Sequence, residues 1–254
     1  MACIICGVDE PTAPIEHIIS DSLGNKYYML DQGLLCRVHN SMFSGFESIV
    51  LTGTVFGMER ARLAQETKKG RPGMMQMKGL DISGDTQFRR HQVSLNRINT
   101  NFIKNFDPAT GTLTLMVPGF DDKSSAAISR LLLKMGIEGI AQSRRMLYAQ
   151  TDFTALREFL IKTSTEPWPF LSTKIQHHQF SSLPTQTVKY KLSLIPCRLL
   201  VAEVDKNTLL LNFRYGGLSF VINLLNREFH WMSPYMQMAA HGELYPISIR
   251  GQFK

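Results

Sequence analysis

Long apolar runs are missing from this sequence of 254 residues. None of its apolar stretches reaches the roughly 20 residues that a membrane-spanning helix needs, so no membrane association is predicted. A basic leader ahead of an apolar stretch is also missing at the amino terminus, where Cys3 and Cys6 already belong to a metal-binding pattern. We therefore expect a cytoplasmic protein.

Cysteine is scarce, with four residues in the chain. Four cysteines would suffice for two disulfides in a secreted protein, but three of them lie in two short motifs with metal-ligand spacing. The fourth, Cys197, stands alone in an apolar stretch. This distribution favours a reducing compartment, in which thiolates bind a metal and Cys197 is an ordinary buried thiol.

A large excess of charge of one sign is absent as well. The chain carries 28 Lys and Arg against 21 Asp and Glu, which gives a formal net charge of +7. This balance favours a polyanionic partner, although charge alone makes nucleic-acid binding no better than even. Since 44% of the residues are hydrophobic, the chain can build an ordinary core, as one large domain or as a small module joined to a larger one.

The sequence does have a Cys-x2-Cys motif near its start and a Cys-x2-His motif 30 residues further on. The two motifs supply Cys3, Cys6, Cys36 and His39. Two such pairs are the ligands of a closed tetrahedral zinc site. We expect this zinc to be structural, because metal binding contributes on the order of 10 kcal/mol to the folding of so short a segment.

Between the two motifs, Glu16 and His17 lie side by side in an apolar stretch, and Asn40 directly follows His39. In this order of residues the segment resembles the HNH family of endonucleases. The closest resemblance is to a bacterial branch with a Glu-His-Ile-Ile strand, a following Leu-Gly, here residues 23–24, and a final Cys-x2-Cys-Asn motif. In this chain His39 takes the place of the last cysteine, which is an equivalent exchange at zinc.

The resemblance implies a ββα-metal site in which Glu16 holds a catalytic Mg²⁺ or Mn²⁺ ion and His17 is the general base. An imidazole suits that role because it titrates near neutral pH. Asn40 would lie near the metal and either ligate it or fix His17. The family's usual third residue, His or Asn, is missing, and Glu47 at i+7 from Asn40 is the natural replacement ligand. The alternative is that Glu16 and His17 form a surface pair on an inert zinc module.

The predicted fold class is α+β, with a zinc-stabilised ββα-metal module at residues 1–58 and a larger domain of helices and antiparallel strands at 81–254. In the module we expect strands around Glu16 and at 33–35, and then a helix that begins at Asn40 or Ser41. A basic linker is predicted at 59–80. Its basic residues are either a phosphate-contacting arm or part of a solvated connection, with equal weight; they are Lys68, Lys69 and Arg71.

In the second domain the strongest helix prediction covers Ser124 to Tyr148, and Asp152 is expected to cap a second helix. Strands are predicted within 88–117 and, after the helices, as an antiparallel meander with turns at 205–207 and 216–217; the later strands are expected at 188–194, 199–204, 208–215 and 218–225. Family members often carry Lys and Glu one turn apart on a following helix, and then an Arg. Three residues match this loosely, namely Lys134, Glu138 and Arg157. A Lys–Glu pair at i and i+4 is, however, more often simple helix support.

The leading hypothesis is a metal-dependent endonuclease that acts on DNA, with a carboxy-terminal domain for targeting, regulation or partner binding. The resemblance also suggests a role in bacterial defence against foreign DNA. One alternative is a zinc-stabilised nucleic-acid-binding or adaptor protein without catalysis. Another is a nuclease subunit that an ATPase or sensor protein activates. A single ββα site cuts one strand at a time, so double-strand cleavage would need a homodimer or two separate nicks.

Overall fold

The computed structural model describes residues 2–67, 69–116, 120–162, 166–174, 197–233 and 242–246. Within these residues the chain is a mixed α and β structure with five α-helices and several antiparallel sheets, which agrees with the predicted α+β class. The helices are α1 (Arg37–Gly53), α2 (Val55–Arg62), α3 (Asp122–Ser143), α4 (Arg145–Gln150) and α5 (Thr154–Ile161). The strands are β1 (Glu16–His17), β2 (Met29–Leu30), β3 (Met74–Met77), β4 (Leu80–Gly84), β5 (Val93–Ile98), β6 (Ile103–Asp107), β7 (Thr112–Leu115), β8 (Phe170–Lys174), β9 (Cys197–Asp205), β10 (Thr208–Tyr215), β11 (Leu218–Asn223) and β12 (Gly242–Tyr245).

The described strands form four antiparallel sheets. Two are simple pairs, β1 with β2 and β6 with β7, and a third sheet has the order β3-β4-β5. The largest sheet has the order β12-β8-β11-β10-β9. Its β9, β10 and β11 form the predicted meander, in which Phe213 pairs with Leu199 on one side and with Phe220 on the other. The strand predicted at 188–194 lies outside the described residues.

Helix α3 is the central element of the core. Its apolar residues continue around most of the helix, so it packs against α1, α4 and α5 and against the largest sheet. The Asp121 carboxylate caps its start by accepting a hydrogen bond of 2.7 Å from the Ser124 backbone N–H. The single helix predicted through Tyr148 is wrong in one respect: Arg144 leaves the helical conformation, with φ −134° and ψ 59°, and separates α3 from α4.

The amino-terminal segment has the predicted order of two strands followed by a helix, but two boundaries differ. The second strand is β2, and residues 33–35 form a turn in which Gly33 has a φ of +85°. Helix α1 begins at Arg37, three residues before Asn40, with Cys36 as its N-cap residue. The carboxylate of Glu10 accepts a hydrogen bond from the Arg37 backbone N–H, so an acidic side chain from the first loop stabilises this helix end.

One hydrophobic core joins the amino-terminal segment to the rest of the chain, since residues such as Cys3, Phe43 and Leu131 belong to the same buried cluster. The stretch predicted as a linker begins inside α2, whose Glu59 and Arg60 are buried, so its first residues are part of the packed structure and not a solvated connection. The division of the chain at residues 58 and 80 stays a prediction.

The turn between β10 and β11 explains why Glu59 is buried. Its carboxylate accepts a hydrogen bond of 2.6 Å from the Gly217 backbone N–H and forms an ion pair with Arg62. Gly216 has a φ of +54°, and a side chain there would collide with Glu59. The absence of a side chain at Gly216 therefore lets the sheet approach α2 closely.

Candidate metal centres

The side chains of Cys3, Cys6, Cys36 and His39 lie together, with all four ligand atoms within 4.8 Å of one another. Cys36 Sγ lies 3.1 Å from His39 Nδ1, Cys3 Sγ lies 3.8 Å from the same nitrogen, and Cys6 Sγ lies 3.9 Å from Cys36 Sγ. Tetrahedral zinc with bonds of about 2.0–2.3 Å separates its ligand atoms by about 3.3–3.8 Å. These four residues therefore fit a zinc ion in donor type, number and spacing.

Two local structures present the four zinc ligands. Cys3 and Cys6 lie in a tight turn, in which the Gly7 N–H donates to the Cys3 carbonyl and Gly7 adopts a φ of +75°. Cys36 is the N-cap residue of α1, and His39 lies in the first turn of that helix. The Ile4 backbone N–H donates to the Leu34 carbonyl and holds the two structures side by side.

The protonation states of these residues follow from their surroundings. Burial lowers the pKa of His39, which favours the neutral imidazole that binds zinc. Burial would raise the pKa of Cys3, but backbone N–H groups, among them that of Cys6, outweigh this effect and lower it. Burial raises the pKa of Cys36, and the nearby Cys3 sulfur adds to the increase. A bound zinc cation would offset this cost, because its positive charge stabilises thiolates that lie close to one another.

The loop between β1 and β2 is organised by Asn25, which the sequence analysis did not single out. Its buried side-chain amide donates to the carbonyls of Ile19 and Tyr28, and its oxygen accepts from the N–H groups of Tyr27 and Tyr28. Gly24 just before it has a φ of +79° at the end of a short 3-10 helix. These contacts fix the loop that returns the chain from Glu16 to its partner strand.

A second cluster lies where β1, α1 and α3 meet. The ammonium group of Lys134 lies 3.1 Å from the Glu138 carboxylate, 3.2 Å from that of Glu47 and 3.7 Å from that of Glu16. It also donates a hydrogen bond of 3.2 Å to the backbone carbonyl of His17. We call these four side chains, Glu16, Glu47, Lys134 and Glu138, the carboxylate cluster. The structure thus brings Glu16 and Glu47, the two predicted metal-binding carboxylates, to one point.

The carboxylate cluster holds more negative than positive charge. The side chain of Lys134 is 1% exposed and that of Glu138 is fully buried, whereas those of Glu16 and Glu47 are each 17% exposed. Glu138 Oε1 is buried without a hydrogen bond, whereas the buried Glu47 Oε1 is the atom that forms the ion pair with Lys134. Burial would lower the pKa of Lys134, but the carboxylates outweigh it and raise the pKa; burial raises the pKa of Glu138 to about 8. Such a site takes up either protons or a cation.

The other predicted site residues lie close by along the chain. His17 is the second residue of β1, and the strand ends there, which is the condition for Glu16 and His17 to serve one site. Asn40 is half-buried in the first turn of α1, two helical turns before Glu47 and on the same face. The assignment of His17 as a base and of Asn40 as a ligand or orienting residue stays a prediction.

The predicted basic arm is a short loop closed by a bridge between Glu66 and Pro72. Lys69 and Arg71 are exposed on it, while Lys68 lies outside the described residues. Its exposure fits either predicted role, phosphate contact or solvated connection. The adjacent His177 and His178 are a weak candidate metal site from the sequence alone, and they lie outside the described residues.

The sequence analysis gave Lys134 and Glu138 no role beyond helix support. Both lie in the most apolar part of α3, between Leu133 and Ile140, and both are buried with it. A charged pair inside an apolar helix stretch was the available signal, because a solvated i,i+4 pair would lie on a polar face. Arg157 also has a definite position, since it donates a hydrogen bond of 2.8 Å to the Ile4 carbonyl in the first zinc motif.

Comparison with protein-family models, with curated proteins and with solved structures finds no match to this chain or to its fold. Among the described residues, none of the helices combines the length and the apolar character that crossing a membrane requires. The described residues thus contain four side chains that fit a zinc ion and, where β1, α1 and α3 meet, a largely buried cluster of three carboxylates around one ammonium group.

Proposed function

We propose that this chain is a metal-dependent endonuclease that hydrolyses phosphodiester bonds in DNA. The observation that carries the proposal is the convergence of Glu16, from β1, and Glu47, from α1, on the one ammonium group of Lys134. The family resemblance implies Glu16 as a metal ligand, and the spacing from Asn40 indicates Glu47. An inert zinc module has no reason to bring two further, largely desolvated carboxylates to one ammonium group that already has a partner.

The donor set of the carboxylate cluster suits a hard divalent cation. Carboxylate oxygens, with an amide oxygen such as that of Asn40, are the ligands that Mg²⁺ and Mn²⁺ prefer. The surplus of negative charge, three carboxylates around the one ammonium group of Lys134, supports cation binding there. When bound, such a cation neutralises charge on the phosphoryl oxygens and assists the leaving alkoxide.

His17 supplies the remaining chemical task, the activation of water. Its imidazole accepts a proton from a water molecule that attacks the phosphorus, as a general base that operates near neutral pH. Glu16 and Glu47 hold the cation, and Asn40 either completes its ligands or orients His17. The zinc residues would join the Cys3–Cys6 turn to the start of α1, that is, the two chain segments between which β1 lies in the sequence.

DNA is the proposed substrate because the chain has a net charge of +7 and an exposed basic loop with Lys69 and Arg71. Bacterial defence against foreign DNA, activation by an ATPase or sensor partner, and a homodimer that cuts both strands are extensions of this proposal. The first two rest on the family resemblance. The homodimer rests on the expectation that a single site cuts one DNA strand at a time.

A plasmid-nicking assay with zinc-loaded protein tests the proposal. We expect cleavage with Mg²⁺ or Mn²⁺ and none with EDTA. His17→Ala should reduce the rate by about 10²–10⁴, the usual contribution of a positioned general base. It should leave zinc content, melting temperature and Mn²⁺ binding unchanged, because the His17 side chain holds neither metal.

If His17→Ala cuts as fast as the parent protein with the same cation, the endonuclease assignment is wrong. A folded parent protein that binds DNA but never cuts it would instead favour the zinc-stabilised nucleic-acid-binding or adaptor protein. If cleavage appears only after an ATPase or sensor partner is added, the chain is the partner-activated nuclease subunit.

A further inference from the structure

Lys134 belongs to α3 and not to the amino-terminal segment that supplies Glu16 and Glu47. It lies in the middle of α3, and its ammonium group is held from two sides. Glu138, one turn further along the same helix, accepts one hydrogen bond, and the carbonyl of His17 accepts another. A buried ammonium on a packed helix is thus a fixed point to which Glu16 and Glu47 are drawn.

A structural ion pair does not account for this arrangement. Lys134 and Glu138 would form a complete, neutral buried pair by themselves. Two further carboxylates add desolvation cost and mutual repulsion, which stability alone would not favour. Since each of them is partly exposed, each would turn toward solvent in the absence of the ammonium. Lys134 therefore holds together two groups that otherwise separate.

We propose that Lys134 is the positioning residue of the cation site: it fixes the Glu16 and Glu47 carboxylates side by side, so that a divalent cation meets a preformed pair of ligands. This inference rests on the proposed function, since it concerns the same cation. It makes α3 a part of the site, although Lys134 lies 117 residues after His17 in the chain. Glu138 in turn holds Lys134.

The positioning role makes a prediction whose sign is opposite to that of simple electrostatics. Removal of a positive charge next to a cation site should strengthen cation binding by Coulomb's law. If Lys134 positions the ligands, its removal should weaken binding instead, because the cation must then gather two separated carboxylates. Loss of a group that orients metal ligands typically weakens metal affinity by about 10–100-fold.

The experiment measures Mn²⁺ binding to the zinc-loaded, full-length protein by titration calorimetry, without DNA. For Lys134→Met we expect the dissociation constant to rise by about 10-fold or more. Lys134→Arg keeps the charge but displaces it, and should also weaken Mn²⁺ binding. It replaces Lys134→Met as the test if zinc content and melting temperature show that Lys134→Met fails to fold. In nicking assays both variants should need more Mn²⁺ for half-maximal rate and approach the parent rate at saturation.

A double variant distinguishes the effect of carboxylate position on Mn²⁺ affinity from the effect of the net charge of the cluster. Lys134→Met with Glu138→Gln removes one charge of each sign, so the cluster is at least as negative as in the parent protein. We expect Mn²⁺ binding to remain weakened. Gln142→Ala is the matched control on α3, because Gln142 also joins this helix to the amino-terminal segment, through two hydrogen bonds with Asp31, without contact to the cluster. Its Mn²⁺ affinity should equal that of the parent.

The outcomes separate the two proposals. If the parent protein binds no Mn²⁺, the cation site of the proposed function is wrong. If the parent binds Mn²⁺ and Lys134→Met binds it equally well or more tightly, the positioning role is wrong while the cation site stands. Recovery of affinity in the double variant, or an equal loss in Gln142→Ala, would also overturn the positioning role, in favour of charge balance or of general loosening.

Discussion

At the scale of single residues, the carboxylate cluster suits cation binding but lowers the stability of the folded protein. Three carboxylates surround one ammonium group in a largely buried place, and the neutral pair of Lys134 and Glu138 needs neither Glu16 nor Glu47. Desolvation of a carboxylate costs several kcal/mol unless a partner compensates it. Each surplus carboxylate therefore lowers the free energy of unfolding as long as no cation is bound.

Glu47→Gln should consequently lose cation binding without loss of stability. The amide keeps the shape and removes one surplus charge, so the melting temperature without divalent cations should stay the same or rise. Mn²⁺ affinity should fall by about tenfold or more, and high Mn²⁺ should restore part of the nicking rate. Calorimetry, thermal melting and nicking assays measure the three effects, and Glu16→Gln should behave alike.

Ser48→Ala, one residue further on the exposed face of α1, is the control and should change none of these quantities. A Glu47→Gln variant that binds Mn²⁺ as the parent does would remove Glu47 from the ligand set. In that case its contact with Lys134 would be a structural ion pair.

At the scale of secondary-structure elements, the zinc residues and helix α1 depend on each other. Cys36 supplies a ligand atom and is also the N-cap residue of α1, but its side chain forms no capping hydrogen bond. Any contribution of this sulfur to the helix end would therefore be made through a bound metal. Because the zinc residues share one core with α3 and the large sheet, a defect in the cluster should affect the whole folded unit.

Cys36→Ala should lower both zinc content and stability. Removal of one of four ligands opens a structural site and weakens zinc binding, which contributes directly to folding. A loss of about 3 kcal/mol would lower the melting temperature by about 6–12 °C for a protein of this size. Elemental analysis and thermal melting measure the two effects.

Cys197→Ala is the matched cysteine control. Burial raises the pKa of the Cys197 thiol to about 12, so it is not a thiolate ligand, and its sulfur makes one weak contact of 3.8 Å with the Leu23 carbonyl. Zinc content should be unchanged in this variant. A Cys36→Ala protein that keeps a full zinc content would contradict the four-ligand site.

The elements also show what the sequence could predict. The grouping of the four candidate zinc ligands, the meander with its glycine turn and the helix predicted from Ser124 follow from local rules of spacing, turn chemistry and periodicity. Helix ends were harder to predict from the sequence, because Arg144 leaves the helical conformation in a stretch whose composition favours helix. The start of α1 depends on Glu10, a capping residue that lies 27 positions earlier in the chain.

The role of Lys134 could not be predicted for a similar reason. Its spacing to Glu138 is local and visible, but its contacts with Glu16 and Glu47 are decided by the packing of α3 against α1 and β1. Long-range contacts of this kind leave no spacing rule in the sequence. Two charges within an apolar helix stretch need compensating groups, and this need is the signal in the sequence that such contacts exist.

At the scale of the whole molecule, two features bear on the substrate. The amino-terminal segment is packed into the same core as the rest of the chain, so the site is a part of one folded body. The net charge of +7 gives this body a general attraction to nucleic acid. The exposed loop with Lys69 and Arg71 is the segment whose contribution to that attraction can be separated by mutation.

Replacement of Lys68, Lys69 and Arg71 by Ala should weaken DNA binding and reduce its salt dependence. Each lost phosphate contact lowers the slope of log affinity against log salt concentration by about 0.9 for duplex DNA, so three contacts would lower it by about 2.7. Fluorescence anisotropy over a range of salt concentrations measures this slope. Lys206→Ala, in the exposed turn between β9 and β10, is a control that should lower the affinity slightly through net charge. An unchanged slope in the triple variant would identify the loop as a solvated connection, and the DNA contacts would then lie elsewhere on the molecule.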